Sequence, residues 1–273
     1  MSKRAQNILL YTLLTLGSFL MILPFYWMIA TSLKTGGEAV AVPPTWIPKR
    51  FLFSNYQKAL EAAPFGRYFL NSVIVTVTTT IGEVFTSILA AYAFSKLHFW
   101  GKNALFLFLL ATMMVPGELM TIPNFVTLSN FKMINTYWAL IIPWLASVFS
   151  VFTLKQSFES VPDELYYAAK VDGASDWKYL WGVLVPLSKS SIIAVMILKV
   201  IGSWNSFMWP LIVTNDKALR TLPVGLQAFT TEAGTHYELL MAASTIVVLP
   251  MVIIYLLLQK YIIQGISRSG LKG

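Results

Sequence analysis

Glu83, Glu118 and Lys199 stand inside long apolar runs of this sequence. A charge held deep in hydrocarbon is costly, so each should face a partner side chain or a wet cavity. Two roles are open to them: a place along a solute path, or a structural pairing such as Glu83 with Lys199. Asn205, with Trp204 and Trp209 on either side, forms a second constellation. An amide flanked by aromatic faces suits a pyranose, whose rings stack on indoles. The same tryptophans also suit a belt at the membrane–water interface. The third group is the polar segment Val161-Pro-Asp-Glu-Leu-Tyr-Tyr-Ala-Ala-Lys-Val-Asp-Gly-Ala-Ser-Asp-Trp177. Pro162 suits the first helical position, and Asp163 and Glu164 suit the positive end of a helix. Gly173 can take the left-handed conformation that ends it, and Ser175 can cap a second helix. The first helix is expected to expose Leu165, Tyr166, Ala168 and Ala169, with the alanines as a flat face for a partner's groove. A solvated loop helix without a partner is the other reading.

Several chemistries are excluded by what is missing. There is no cysteine, so thiol catalysis, disulfides and Cys-ligated metals are out. His98 and His236 are far apart and fall in opposite loops, so neither a metal site nor any catalytic residue is assigned. An intramembrane enzyme would need paired acids, a nucleophile with its base, or histidines within the spans. No G-x-x-x-x-G-K-[ST] pattern occurs, so the chain lacks that means of binding ATP.

The elements that must position these residues follow from composition. Of 273 residues, 56% are hydrophobic and only 12% charged, and the mean hydropathy is +0.66. Too little charge is present to coat a soluble globule, since soluble domains carry about 25% charged residues. The net charge of +8 is spread singly between apolar runs, which fits the flanks of membrane spans rather than nucleic-acid binding. Six runs approach the roughly 20 apolar residues a span requires: residues 8–30, 69–94, 104–128, 137–154, 190–213 and 239–258. The third is interrupted by Pro116, Gly117, Glu118 and Pro123. The first is too long for a signal-peptide core and is read as a retained span. Lipid leaves open backbone groups no partner, so the spans must be helical.

Six spans put both termini on one side. If that side is the cytoplasm, eleven of the 20 Lys and Arg lie inside, eight outside and Lys199 within a span. The inner ones cluster at span ends, which favours this orientation. Residues 1–68 are then an N-terminal span and external loop, 69–264 a transmembrane core, and 265–273 a cytoplasmic tail.

The loop also carries a resemblance. Tyr167-Ala168-Ala169, three residues, Gly173, nine residues and Val183-Leu184-Val185-Pro186 resemble the EAA-loop signature of ABC importer permeases: Glu-Ala-Ala, three residues, Gly, nine residues, Ile-x-Leu-Pro. Pro162, Glu164, Leu165, Asp172 and Ala174 resemble its sugar branch, as do Gly202-Ser-Trp-Asn-Ser-Phe-Met-Trp-Pro-Leu211, Met241-Ala-Ala and the tail Gln264-Gly265 to Leu271-Lys272-Gly273. The chain is similar throughout to the six-span permease of maltose-type importers. Tyr167 stands where the signature has Glu, and Glu164 lies one turn earlier on a neighbouring face.

The resemblance implies an all-α membrane protein of the prokaryotic cytoplasmic (inner) membrane, with six spans, a type I importer permease fold and a cytoplasmic coupling helix within 161–187. It implies import of a di- or oligosaccharide by alternating access, with Glu164, Leu165, Tyr167, Ala168, Ala169, Asp172, Gly173 and Pro186 in the coupling loop. Glu83, Trp204, Asn205 and Trp209 are the candidate path residues. The implied partners are a second homologous permease, two ATP-binding subunits, an extracytoplasmic solute-binding protein and membrane lipid, without nucleic acid. ATP and Mg would be bound by the ATPase subunits and no cofactor by this chain. The alternatives are a permease for a glycerol-phosphate-type or polyol solute, or an ion-coupled secondary transporter, which would need repeated broken helices and buried coupling acids.

Overall fold

The computed structural model describes residues 3–231 and 234–270; the 271–273 part of the expected tail motif lies outside them. Helix α1 (Lys3–Ser32) is apolar on every side. After the short helix α2 (Ser54–Glu61) comes α3 (Phe65–Lys96), which starts four residues before the expected second span. The third run is broken, as its prolines require: α4 (Lys102–Thr112) and α5 (Thr121–Asn130) flank a tight turn at Gly117–Met120 that exposes Glu118. The two halves meet at 92°.

The fourth run bends by 42° where Pro143 follows α6 (Tyr137–Ile141). Ser147 restarts the chain by accepting from the Ser150 amide at the head of α7 (Val148–Glu159). Then follow α8 (Asp163–Val171) and α9 (Asp176–Tyr179). The fifth run departs from the expected unbroken 190–213. Helix α10 (Lys189–Trp204) ends before Asn205, and α11 (Met208–Val213) starts anew. Pro210 is the reason: its ring would strike the Ser206 carbonyl of a continuous helix, but it is harmless in a first turn. Thr230–Thr231 and Gly234–Thr235 form a minimal antiparallel pair, β1 and β2, before α12 (Tyr237–Gly270). Among the described residues three helices are long and apolar enough to cross a membrane, and three bent pairs pass the same test together, which gives up to six spans if each pair is one.

The chain forms two compact units. The first joins residues up to 66 with 225–252. There Lys34 is buried, donates to the Thr45 carbonyl at 2.6 Å and lies 4.1 Å from the Trp27 ring centre. Asn55 donates to the Ser32 and Lys34 carbonyls, which folds the loop back on the end of α1.

The second unit is built on α3 and holds both candidate sites. Val84, Ile88 and Tyr92 pack with Leu154, Phe158 and Tyr179; nearer the other end, Val75 packs with Leu128, Leu140, Trp209 and Val213. Along the same helix α3 also buries Asn71, Ser72, Thr76, Thr79, Thr80, Glu83 and Ser87. Steps of three and four residues keep them on one face, so a mostly apolar helix turns a polar ridge inward.

Candidate functional site

The 161–187 loop is held by two side chains one turn apart on α3. Lys96 is buried, donates to the Val161 carbonyl at 2.9 Å and meets Asp163 Oδ1 at 2.6 Å. The ammonium beside Asp163 keeps its carboxyl below the usual carboxylate range. Tyr92 donates its hydroxyl to Asp176 Oδ1 at 2.7 Å, which also takes Lys170 Nζ at 3.0 Å and the Tyr166 hydroxyl at 3.2 Å. Asp163 opens α8 and Asp176 opens α9, so α3 grips the start of both.

Local chemistry shapes the rest of the loop. Pro162 sits one position before the expected one, at ψ 138° in the N-cap position of α8 and without a side-chain cap. Gly173 has φ +75°. Its amide donates to Lys170 O at 3.0 Å and that of Ala174 to Ala169 O at 2.8 Å, the two bonds that close a helix through a left-handed residue. Ser175 Oγ accepts from the Lys178 amide. Downstream, Leu180–Leu184 widens into a π turn before Pro186, which has no amide proton to continue the regular ladder. There the chain bends by 79° into α10.

One expectation about this helix is corrected. Tyr166 and Ala169 are half-buried and pack on the core, so the two alanines do not share an outer face. Successive helical residues point about 100° apart, and the bond from Tyr166 to Asp176 fixes which side is inner. The exposed face is Glu164, Leu165, Tyr167, Ala168, Val171 and Asp172, with Val171 87% exposed.

The second site is a cavity of about 480 Å³ among α3, α7, α10 and α11. Glu83 and Lys199 both line it and pair at 2.6 Å, with side chains 6% and 12% exposed. Ser150 donates to the other carboxylate oxygen at 2.6 Å, and Lys199 donates to the Trp144 carbonyl at 3.1 Å. Trp209 also lines the cavity, its indole N–H bonded to Ala139 O at 2.9 Å and its ring edge-on to Trp144. Ser72, Ser203, Ser206 and Thr221 also line it, among mostly apolar side chains.

The Trp204–Asn205–Trp209 set is therefore split. Trp204 is buried edge-on to Phe69, and Asn205 is exposed just past the end of α10; neither lines the cavity. Glu118 is also outside it. Sequence reasoning missed Ser150 and Trp144. A serine in an apolar helix is too common to stand out, and a carbonyl's direction is set by the Pro143 bend. Among the described residues no group of His, Asp and Glu is arranged to hold a metal ion.

Comparison with known proteins extends this picture. The chain is 33% identical to the arabinooligosaccharides transport system permease protein AraQ of Bacillus subtilis, over 94% of this chain and 92% of that one. It is 30% identical to the sn-glycerol-3-phosphate transport system permease protein UgpE of Yersinia enterocolitica, over 98% of both. A chain from the crystal structure of a bacterial ABC transporter involved in import of the acidic polysaccharide alginate shares the fold, with TM-score 0.85, 22% identity and coverage of 95% and 97%. Residues 82–268, which include the polar ridge's end, the gripped loop and the cavity's far wall, match the pattern described as binding-protein-dependent transport system inner membrane component. That match spans more than half of the chain, and the protein is a member of this family of membrane transport components.

Proposed function

We propose that this chain is the permease subunit of an ATP-driven importer that moves a di- or oligosaccharide across the cytoplasmic membrane by alternating access. The observation that carries the reading is the loop gripped by Tyr92 and Lys96, which offers Leu165, Tyr167, Ala168 and Val171 to a partner beyond the membrane helices. Two ATPase subunits, which bind ATP and Mg, dock on this loop and on that of a second homologous permease; an extracytoplasmic binding protein delivers the solute. ATP closes the ATPase pair, and the loop moves with α3 as a rigid lever. Residues 69–264 form the transport core. Both termini and residues 155–189 face the cytoplasm, with Gly173 and Pro186 shaping the lever and Glu83 and Trp209 facing the solute cavity.

A carbohydrate cargo is supported by the likeness to AraQ, whose name specifies arabinooligosaccharides. A glycerol-phosphate cargo has support from the likeness to UgpE. Uptake into vesicles decides between the classes. ATP-dependent uptake of arabinotriose with ATPase and binding protein present fits the proposal; uptake by this chain with an ion gradient and no ATPase overturns it. Topology is checked separately, because the chain has no native cysteine. A cysteine at 49 or 217 should react with an impermeant reagent outside, and one at 178 should be protected.

A further inference from the structure

The cavity holds one cation and one anion among its lining residues, Lys199 and Glu83. They face each other at 2.6 Å, so the wall of the cavity carries no net charge. Both carboxylate oxygens are engaged, one by Lys199 and the other by Ser150. The ammonium has three protons. Glu83 and the Trp144 carbonyl account for two, with the Trp144 ring centre 5.7 Å away, and the third can serve a neutral acceptor such as a hydroxyl or ring oxygen. The serines and the Trp144 and Trp209 side chains in the lining offer what else a sugar needs: polar groups for its rim and apolar surface for its C–H groups.

We propose that Glu83 is a specificity-determining residue: by neutralising Lys199 it makes the cavity select an uncharged polyhydroxylated solute over a phosphate- or carboxylate-bearing one. This rests on the carbohydrate reading above and adds the charge of the cargo to it. An anion entering here meets a lysine whose charge is already balanced, in surroundings that solvate ions poorly. Removal of the carboxylate leaves an unbalanced ammonium facing the cavity, and removal of the ammonium leaves an unbalanced carboxylate. The two changes must shift charge preference in opposite directions, which a purely structural role for the pair does not require.

The test uses the full permease complex in lipid nanodiscs and measures equilibrium binding of two probes, neutral arabinotriose and anionic glycerol 3-phosphate, by quenching of tryptophan fluorescence. Wild type should prefer arabinotriose. Glu83→Gln should raise the affinity ratio of glycerol 3-phosphate to arabinotriose about tenfold or more, Lys199→Gln should lower it, and the double variant should return it near wild type; an effect of tenfold corresponds to about 1.4 kcal/mol. A ratio unchanged in both single variants, on a wild type that binds arabinotriose, overturns this inference and leaves the carbohydrate reading intact. A wild type that binds neither probe overturns both. If neither single variant reaches the membrane, wild-type preference decides, and stronger binding of glycerol 3-phosphate overturns the inference.

Discussion

Two lysine–carboxylate pairs in this protein have the same length and buried lysines, but carboxylates in opposite surroundings. Lys96–Asp163 and Lys199–Glu83 both measure 2.6 Å, but Asp163 is 68% exposed and Glu83 only 6%. The first pair latches the loop at the edge of the helical core, where water competes for the Asp163 carboxylate while the Lys96 ammonium is buried. The second ties α3 to α10 beside a cavity, where one hydrogen bond each, from Ser150 and to the Trp144 carbonyl, is the other solvation these charges have in the structure. Distance alone would rank them equal. Burial of the carboxylate separates a latch with one arm in water from a pair whose members are costly to remove singly.

The largest effect should come from unpairing the buried site. Lys199→Met leaves Glu83 without its cation and should cost about 3–5 kcal/mol of stability, read from unfolding in detergent. Adding Glu83→Leu should recover most of that loss. A Lys199→Met cost no larger than that of an exposed pair would erase the contrast. In the loop, backbone geometry should outweigh charge. Gly173 has φ +75° and open space where a Cβ would point, so strain rather than collision sets its sensitivity. Gly173→Val should cost about 1 kcal/mol or more locally and abolish coupled uptake while membrane levels stay normal; normal uptake with normal ATPase retention would mean the loop is no lever.

A neutral contact sharpens the cavity side of the comparison. Trp209→Phe removes the bond to Ala139 O and should destabilise by about 1 kcal/mol, well short of the unpaired charge in the same unfolding assay. The smallest effect belongs to the latch. The Asp163 carboxyl is held below its ordinary value by Lys96, so its contribution is fully present above about pH 4 and fades as pH falls through the lowered value. Hydrogen exchange in residues 163–171 should be flat from neutral pH to about 5 and rise only in stronger acid, once corrected for intrinsic rates. A rise near pH 6 would place the latch on another group.

What the sequence made legible depended on how local each cause was. Gly173 and Ser175 were readable because a left-handed turn and a capping hydroxyl are decided within a few residues. Glu83 with Lys199 was readable because so few charges interrupt the apolar runs. The inward turn of Tyr166 and Ala169 was not, since it is imposed by Tyr92 and Asp176, distant in sequence from each other. The break after Trp204 was hidden because apolar residues continue on both sides, and only Pro210 hints at a restart. The cavity's shape emerges from the meeting of four helices, which no single stretch of sequence encodes.

The position of both grips on α3 has a mechanical consequence. Glu83 and Lys96 are thirteen residues apart on one unbroken helix, about 20 Å along its axis. A tilt of roughly 5° pivoting at Lys96 would carry Glu83 sideways by about 1.7 Å over that arm. A hydrogen bond of 2.6 Å stretched by so much passes beyond its useful range. Angular error of a few degrees at one end is therefore amplified into a broken or made contact at the other. On this geometry a rigid tilt of the long helix at the loop would be read, like the swing of a gauge needle, at the heart of the cavity.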